Sequence, residues 1–276
     1  MGVINVTPDS FSSRGLVAEP DLAADLAAAM ERAGADLIDL GAESTRPGAA
    51  PIAADEEMAR LRPALRAIRP RIGIPISVDT YKAEVVRLAL DEGASLVNDV
   101  SGLAYDPDLG PLVAARQVPI VLMHMRGRPE DMYAHAHYDD VTAEVTRDLQ
   151  RSVERAIGFG IAPNQLVLDP GLGFAKRPGH SFTILARLER LAALGRPLLV
   201  GASRKSFLTS AAGPLAPVER DWPTAAAVTA AILGGAHIVR VHRVEEMVQV
   251  ARVADAIRAA ALGDSVTPTG RPEGFQ

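Results

Sequence analysis

The sequence predicts an α/β fold closed into a single (β/α)8 TIM barrel. Three observations carry that prediction: short apolar runs alternate with helical patterns, a Gly-Ala turn recurs where helix gives way to strand, and polar residues stand at the ends of the apolar runs. The runs fall at residues 3–6, 37–40, 74–78, 96–100, 120–123, 166–168, 198–200 and 238–241. Eight strand–helix units are what a closed barrel requires. The runs are continuously apolar rather than alternating, as expected of parallel strands covered on both faces. Between them lie helical patterns, for example Leu22, Leu26, Ala29, Met30 and Ala33 on one predicted face.

Gly34-Ala35-Asp36-Leu37-Ile38, Gly93-Ala94-Ser95-Leu96-Val97 and Gly235-Ala236-His237-Ile238-Val239 repeat one pattern. Each reads as a glycine in the left-handed position just past a helix, followed by a strand. No low-complexity linker divides the chain. Residues 1–262 therefore read as one barrel domain, and 263–276, rich in Gly, Pro, Ser and Thr, as a disordered C-terminal tail.

Composition narrows the function. The 276 residues are an ordinary length for one barrel. Hydrophobic residues make up 48% but aromatics only 4%, so the core must be built from Ala, Val, Leu and Ile. The net charge of −5 argues against a nucleic-acid surface, so an anionic ligand must be attracted by a local cluster of bases. The chain has no cysteine, which removes disulfides and a thiol nucleophile. Apolar runs such as residues 119–123 are far too short to span a bilayer, and Asn5, Thr7, Asp9 and Ser10 interrupt any signal-peptide core. A cytoplasmic enzyme with no membrane partner is expected.

Residues at the C-terminal ends of barrel strands face the active site. Here the ends carry Asn5, Glu43-Ser44-Thr45, Asp79, Asn98-Asp99, His124, Asp169, Ser203, and Arg240 with His242. A polar ligand held from all sides accounts for the set; the competing reading is that polar loops simply begin there. Arg240 and His242 lie two apart and share a strand face. Ser203-Arg204-Lys205-Ser206 forms a strand-to-helix turn, where free backbone N–H groups commonly hold a phosphate. Arg204 and Lys205 taken alone also fit a solvated loop. Asp79 and Asp169 suit a heterocycle with N–H donors, because a carboxylate accepts several hydrogen bonds. Each also fits a carboxylate paired with a barrel arginine.

These residues sit in recognisable blocks. Gly2-Val3-Ile4-Asn5-Val6-Thr7-Pro8-Asp9-Ser10-Phe11-Ser12 resembles the first signature of the dihydropteroate synthases, and Glu43-Ser44-Thr45-Arg46-Pro47-Gly48-Ala49 the second. Ser77-Val78-Asp79-Thr80, Val97-Asn98-Asp99-Val100, Leu122-Met123-His124-Met125 and Leu168-Asp169-Pro170-Gly171-Leu172-Gly173-Phe174 are similar to the middle blocks. Gly201-Ala202-Ser203-Arg204-Lys205-Ser206-Phe207-Leu208 and Val239-Arg240-Val241-His242 complete the series in family order.

The resemblance implies an enzyme that joins 6-hydroxymethyl-7,8-dihydropterin pyrophosphate to 4-aminobenzoate. It implies a pterin held by Asp79, Asn98, Met123, Asp169, Gly201 and Lys205. Asn5, Ser203, Arg204, Arg240 and His242 would bind pyrophosphate, with Asn5 also a ligand to the accompanying Mg²⁺. Thr45, Arg46, Pro47, Phe174, Ser203 and Lys205 would form the 4-aminobenzoate site. Asp79, Lys205, Arg240 and His242 are the implied catalytic groups. A homodimer is implied by the same analogy, for which an Ala-rich face with Ala225, Ala226, Ala230 and Ala231 is a candidate; such a face more often serves packing on the barrel.

Four features depart from the pattern: Ser12-Ser13-Arg14-Gly15 in the first loop, Arg243 after His242, Asp221-Trp222-Pro223-Thr224 before a late helix, and a start inside strand one. A true start upstream would account for the last; without one, a barer barrel floor and lower stability rather than lost chemistry are expected. Two other readings remain at this point: a methyltetrahydrofolate-dependent corrinoid methyltransferase and a non-catalytic pterin-binding homologue. Lys205, Arg240 and His242 weigh against both. The segments 44–49 and 171–176 show nothing unusual, so the resemblance implies a sulfonamide-sensitive form.

Overall fold

The computed structural model describes residues 1–7 and 19–263. The first-loop departure at 12–15 and all but Gly263 of the tail expected at 263–276 lie outside the described residues. Eight strands alternate with helices: β1 (Gly2–Asn5), α1 (Pro20–Arg32), β2 (Ile38–Gly41), α2 (Ala54–Ile68), β3 (Ile76–Asp79), α3 (Ala83–Asp91), β4 (Leu96–Asp99), α4 (Leu109–Arg116) and β5 (Ile120–Met123). They continue as α5 (Val141–Gly158), β6 (Leu166–Asp169), α6 (Pro178–Ala186), α7 (Glu189–Ala192), β7 (Leu199–Val200), α8 (Thr209–Ala212), α9 (Asp221–Leu233), β8 (Ile238–Val239) and α10 (Val244–Leu262).

β1 to β6 form a parallel sheet in chain order, and β7 pairs with β8. Parallel bridges Leu168–Leu198 and Gly2–Val241 join the two sheets at both edges. Leu168 N donates to Pro197 O at 2.9 Å, Val3 N to Val241 O at 3.1 Å, and Val241 N to Met1 O at 2.9 Å. Every strand thus has a bonded neighbour on either side, and the parallel strands form the expected barrel.

Two apolar layers follow from the period-2 alternation of each strand. Leu37, Val121, Val167 and Leu199, with Met1, Leu96 and Ile238, fill the lower barrel interior. Outward-facing Ile4, Ile38, Leu40, Ile76, Val78, Ile120, Leu122 and Leu168 meet the helices in a larger cluster. Asp140 caps α5, accepting from Thr142 N and Ala143 N at 3.0 and 3.1 Å. Gly34, Gly93 and Gly235 have φ near +100°, and Ala35, Ala94 and Ala236 donate back five residues to Met30, Ala89 and Ala231 at 2.9 Å. These three Schellman closures match the expected turns.

Two details differ from the sequence reading. The buried face of α1 is Ala23, Ala24, Ala27 and Met30, whereas Leu22 and Ala29 are exposed and Leu26 only half-buried. Small side chains allow the helix to lie close on the strands, so shape overrides the leucine count. Strand eight ends at Val239 rather than 241. There Arg240 N still bonds Val200 O, but Val241 N switches to Met1 O across the seam. No helix among the described residues is long and apolar enough to cross a membrane.

Candidate active site at the barrel mouth

Parallel register puts the ends of neighbouring strands side by side. Asn5 is in register with Gly41, Gly41 with Asp79, and Asp79 with Asn98. Gly41 matters by its missing side chain: a Cβ there would lie 3.3 Å from Asp79 Cβ and 3.6 Å from Asn5 Oδ1. The gap leaves both groups aimed at the barrel axis.

Arg240 fills the centre of this row. Its Nε donates to Asp39 Oδ2 at 2.6 Å and its Nη2 to Asp79 Oδ2 at 2.8 Å. Asn98 Nδ2 donates to the same Asp39 oxygen at 3.1 Å. Asp39 is fully buried and its Oδ1 has no partner among the described residues. Burial alone disfavours charge on both Asp79 and Arg240. Burial pushes the Asp79 carboxyl up to about 7 despite the opposing pull of Arg240. Burial likewise works against the Arg240 charge, but Asp39 and Asp79 outweigh it and raise its pKa. Arg240 Nη1 has no partner among the described residues and remains available to a ligand oxygen.

A second group faces the first. Asp169, at the end of β6, is buried and accepts from Gly171 N at 2.7 Å through Oδ1. Burial raises its pKa, opposed mainly by Lys205. Lys205 Nζ donates to Leu172 O and lies 4.3 Å from the centroid of the Phe174 ring. Burial lowers this ammonium to about 8, although Asp169 supports its charge. Gly201 lies beside both bases: a Cβ there would make ordinary contact, 4.0 Å from Lys205 Nζ and 3.9 Å from Arg240 Cβ. Buried Met123 joins Tyr81, Val100, Tyr105, Met125 and half-buried Phe174 in an apolar wall.

A third group lies at the rim. Ser203 Oγ is 2.9 Å from His242 Nδ1 and accepts the His242 backbone N–H at 3.2 Å. The hydroxyl proton is then free for Nδ1, which assigns the ring proton to Nε2. Burial, with Arg240 and Arg204 nearby, lowers His242 to about 4, so the ring is neutral at physiological pH. Thr45 is half-buried, while Arg46 and Pro47 are exposed in the loop after β2. Gly48 N ties that loop to Pro129 O at 2.9 Å.

The turn at Ser203-Arg204 differs from the expected cradle of free amides. Arg204 adopts φ +59° and its N–H is taken by Thr224 Oγ1 at 3.0 Å; Lys205 N donates to Ala202 O at 3.3 Å. The Arg204 guanidinium is held bidentately by Asp221 at 2.8 and 3.0 Å, and Arg220 Nη1 donates to Arg204 O at 2.9 Å. The departure at Asp221 and Thr224 thus has a use: both residues clamp this turn.

Sequence reasoning missed two groups. Asp39 was hidden inside the apolar run at 37–40, and its only signal was an acid on the inward phase of a strand. Lys176 is almost fully buried behind the Phe174 turn, and nothing in its spacing marked it. Asp99, grouped with the strand-end polar residues, instead accepts from Ser101 N and Leu103 N at 2.7 and 2.6 Å and caps its own turn.

Known proteins match this arrangement. The profile described as pterin binding enzyme matches residues 1–242. A dihydropteroate synthase of Synechocystis is 45% identical over 93% of this chain and 89% of its own length. The Yersinia pestis dihydropteroate synthase, solved in a sulfonamide drug complex, superposes with a TM-score of 0.89 at 41% identity, covering 94% of each chain. The Xanthomonas albilineans enzyme in complex with 7,8-dihydropteroate superposes with a TM-score of 0.85 at 38% identity, covering 94% of this chain and 93% of that one. With its barrel mouth, motif order and full-length similarity all in agreement, this chain belongs to the pterin-binding enzyme family, within its dihydropteroate synthase group.

Proposed function

We propose that this chain condenses 6-hydroxymethyl-7,8-dihydropterin pyrophosphate with 4-aminobenzoate, giving 7,8-dihydropteroate and pyrophosphate for folate biosynthesis. The observation that carries the reading is one barrel mouth in which Asp39, Asp79 and Asp169 are interleaved with Arg240 and Lys205. Such a site accepts N–H edges at its centre and donates to oxygens at its edge. Asp169 Oδ2 is the oxygen assigned to the guanidine-like edge of the pterin, with Asp79, Asn98 and Lys205 around the ring and Met123 and Gly201 shaping its slot. Arg240 Nη1 and His242 Nε2–H are directed to pyrophosphate, with Ser203 orienting the imidazole. Arg204 contributes only if it leaves Asp221. Thr45, Arg46, Pro47, Phe174, Ser203 and Lys205 surround 4-aminobenzoate.

The reaction needs no enzyme nucleophile. The pterin methylene–oxygen bond breaks, and pyrophosphate departs with both electrons. The carboxylates at the mouth offset the positive charge left on the pterin. The aniline nitrogen then forms the new C–N bond and loses a proton. Among the described residues no group of three or more His, Asp or Glu could hold a metal. Asn5 Oδ1 beside the Gly41 gap fits the other common arrangement, in which Mg²⁺ takes one protein oxygen plus substrate phosphates and water. The ion would add charge stabilisation on the leaving group. Asn5 holds and orients that oxygen.

Purified protein supplied with the pterin pyrophosphate, 4-aminobenzoate and Mg²⁺ is expected to release pyrophosphate and form dihydropteroate. Asp169→Asn is expected to lower kcat/KM for the pterin about a hundredfold. Methyl transfer to a corrinoid, or pterin binding without turnover, would contradict the reading.

Titration of Asp79 gives a second test. Its pKa is raised to about 7, so the empty site favours the protonated acid below that pH and loses that contribution as pH rises through it. A pterin that needs a carboxylate acceptor should therefore bind more tightly as pH rises across 7. Calorimetric titration with a pterin checks this; affinity that falls across the same range, or an unchanged profile in Asp79→Asn, would contradict it.

A homodimer is part of the same proposal. Trp222, Leu233, Val253 and Ile257 are exposed on α9 and α10, with Ala226 and Ala230 beside them. Contiguous apolar exposure of this kind marks an association surface. Sedimentation is expected to give a dimer for the wild type and a monomer for Val253→Glu; a wild-type monomer at micromolar concentration would rule the surface out.

A further inference from the structure

Lys176 leads the large side chains that are almost fully buried, at 1% exposure. A lysine so placed needs partners, because burying an ammonium is costly. Its Nζ lies 2.8 Å from His124 Nδ1, 3.0 Å from Phe174 O and 3.4 Å from His124 O. His124 Nε2 is 3.2 Å from Asp148 Oδ2, and Arg126 Nη2 donates to that oxygen at 2.8 Å. Burial, with Lys176 alongside, lowers His124 to about 4. A neutral ring accepting at Nδ1 and donating from Nε2 satisfies every partner.

This cluster holds a strained turn. Gly171 has φ +65°, and a Cβ there would come within 2.1 Å of His124 O. Phe174 N closes on Gly171 O at 3.0 Å. Ala175 adopts φ +48°, a conformation uncommon for a non-glycine residue. Its carbonyl accepts from Tyr138 OH at 3.0 Å. Consecutive carbonyls, of Phe174 and Ala175, are therefore clamped by two side chains from different parts of the chain. The same turn presents the Leu172 carbonyl and the Phe174 ring to the Lys205 ammonium.

We propose that Lys176 is a positioning residue: bridging His124 to the Phe174 carbonyl, it locks the turn at residues 171–176 so that the Phe174 ring is fixed as a wall of the 4-aminobenzoate site. The proposal rests on the reading of Phe174 as a wall of the 4-aminobenzoate site. Lys176 itself touches neither substrate in this account and acts through Phe174.

Lys176→Met keeps the length of the side chain and removes its donors. Amide hydrogen exchange at residues 171–176 is expected to speed up, with the strands unchanged. KM for 4-aminobenzoate should rise about tenfold while KM for the pterin stays within about twofold. Phe174→Ala should give the same split, and adding Lys176→Met to it should add nothing further. Unchanged exchange in Lys176→Met, or effects of the two substitutions that multiply, would overturn the proposal. Faster exchange together with a Phe174→Ala variant whose kinetics are normal would leave the positioning intact and refute the site reading instead. If Lys176→Met does not fold, Tyr138→Phe removes a single hydroxyl from the same turn. It should give a smaller rise in exchange there, and no rise would count against the clamp.

Discussion

Everything at the barrel mouth depends on one guanidinium shared by two carboxylates. Arg240 joins Asp39 of β2 to Asp79 of β3 from across the β8–β1 seam. Without it, two acids would face each other in a buried space. With it, the pair carries a net negative charge small enough to survive burial and large enough to attract N–H donors. Asn98, held to Asp39, and Asn5, in register through Gly41, take their places around this centre.

The closed ring makes that bridge possible. Arg240 follows β8, which pairs with β7 below while Val241 bonds across the seam to β1. Only a barrel brings residue 240 against residues 39 and 79. The apolar layer of Val121, Val167 and Leu199 beneath keeps water from entering from below, so burial shifts Asp79 and Lys205 towards neutrality. Asp79 thus holds its proton more tightly than an ordinary carboxyl, and Lys205 holds its own less tightly than an ordinary ammonium. The rim is built differently. Ser203 and His242 are set by a direct hydrogen bond, and Arg204 is anchored to Asp221 on α9.

Much of this was legible in the sequence because it is local. Apolar runs mark parallel strands, polar residues at their ends mark the mouth, and Gly34, Gly93 and Gly235 announce left-handed helix ends. What was not legible depends on partners far away in the chain. Asp39 reads as a stray acid in a strand until Arg240, 201 residues later, closes on it. Lys176 reads as an ordinary loop base until His124 and Phe174 surround it. The direction of the Arg204 side chain depends on Asp221 and Thr224, which no strand-end pattern includes. The face of α1 was misjudged because close packing selects for small side chains as well as for apolar ones.

The most direct measurement is the stability of Arg240→Met by urea denaturation, alone and combined with Asp39→Asn. The account predicts a loss of about 3–5 kcal/mol for the single variant, the range for stranding a buried charge, and partial recovery in the double variant. A loss of only about 0–1 kcal/mol, as for an exposed ion pair, with no recovery on adding Asp39→Asn, would contradict it.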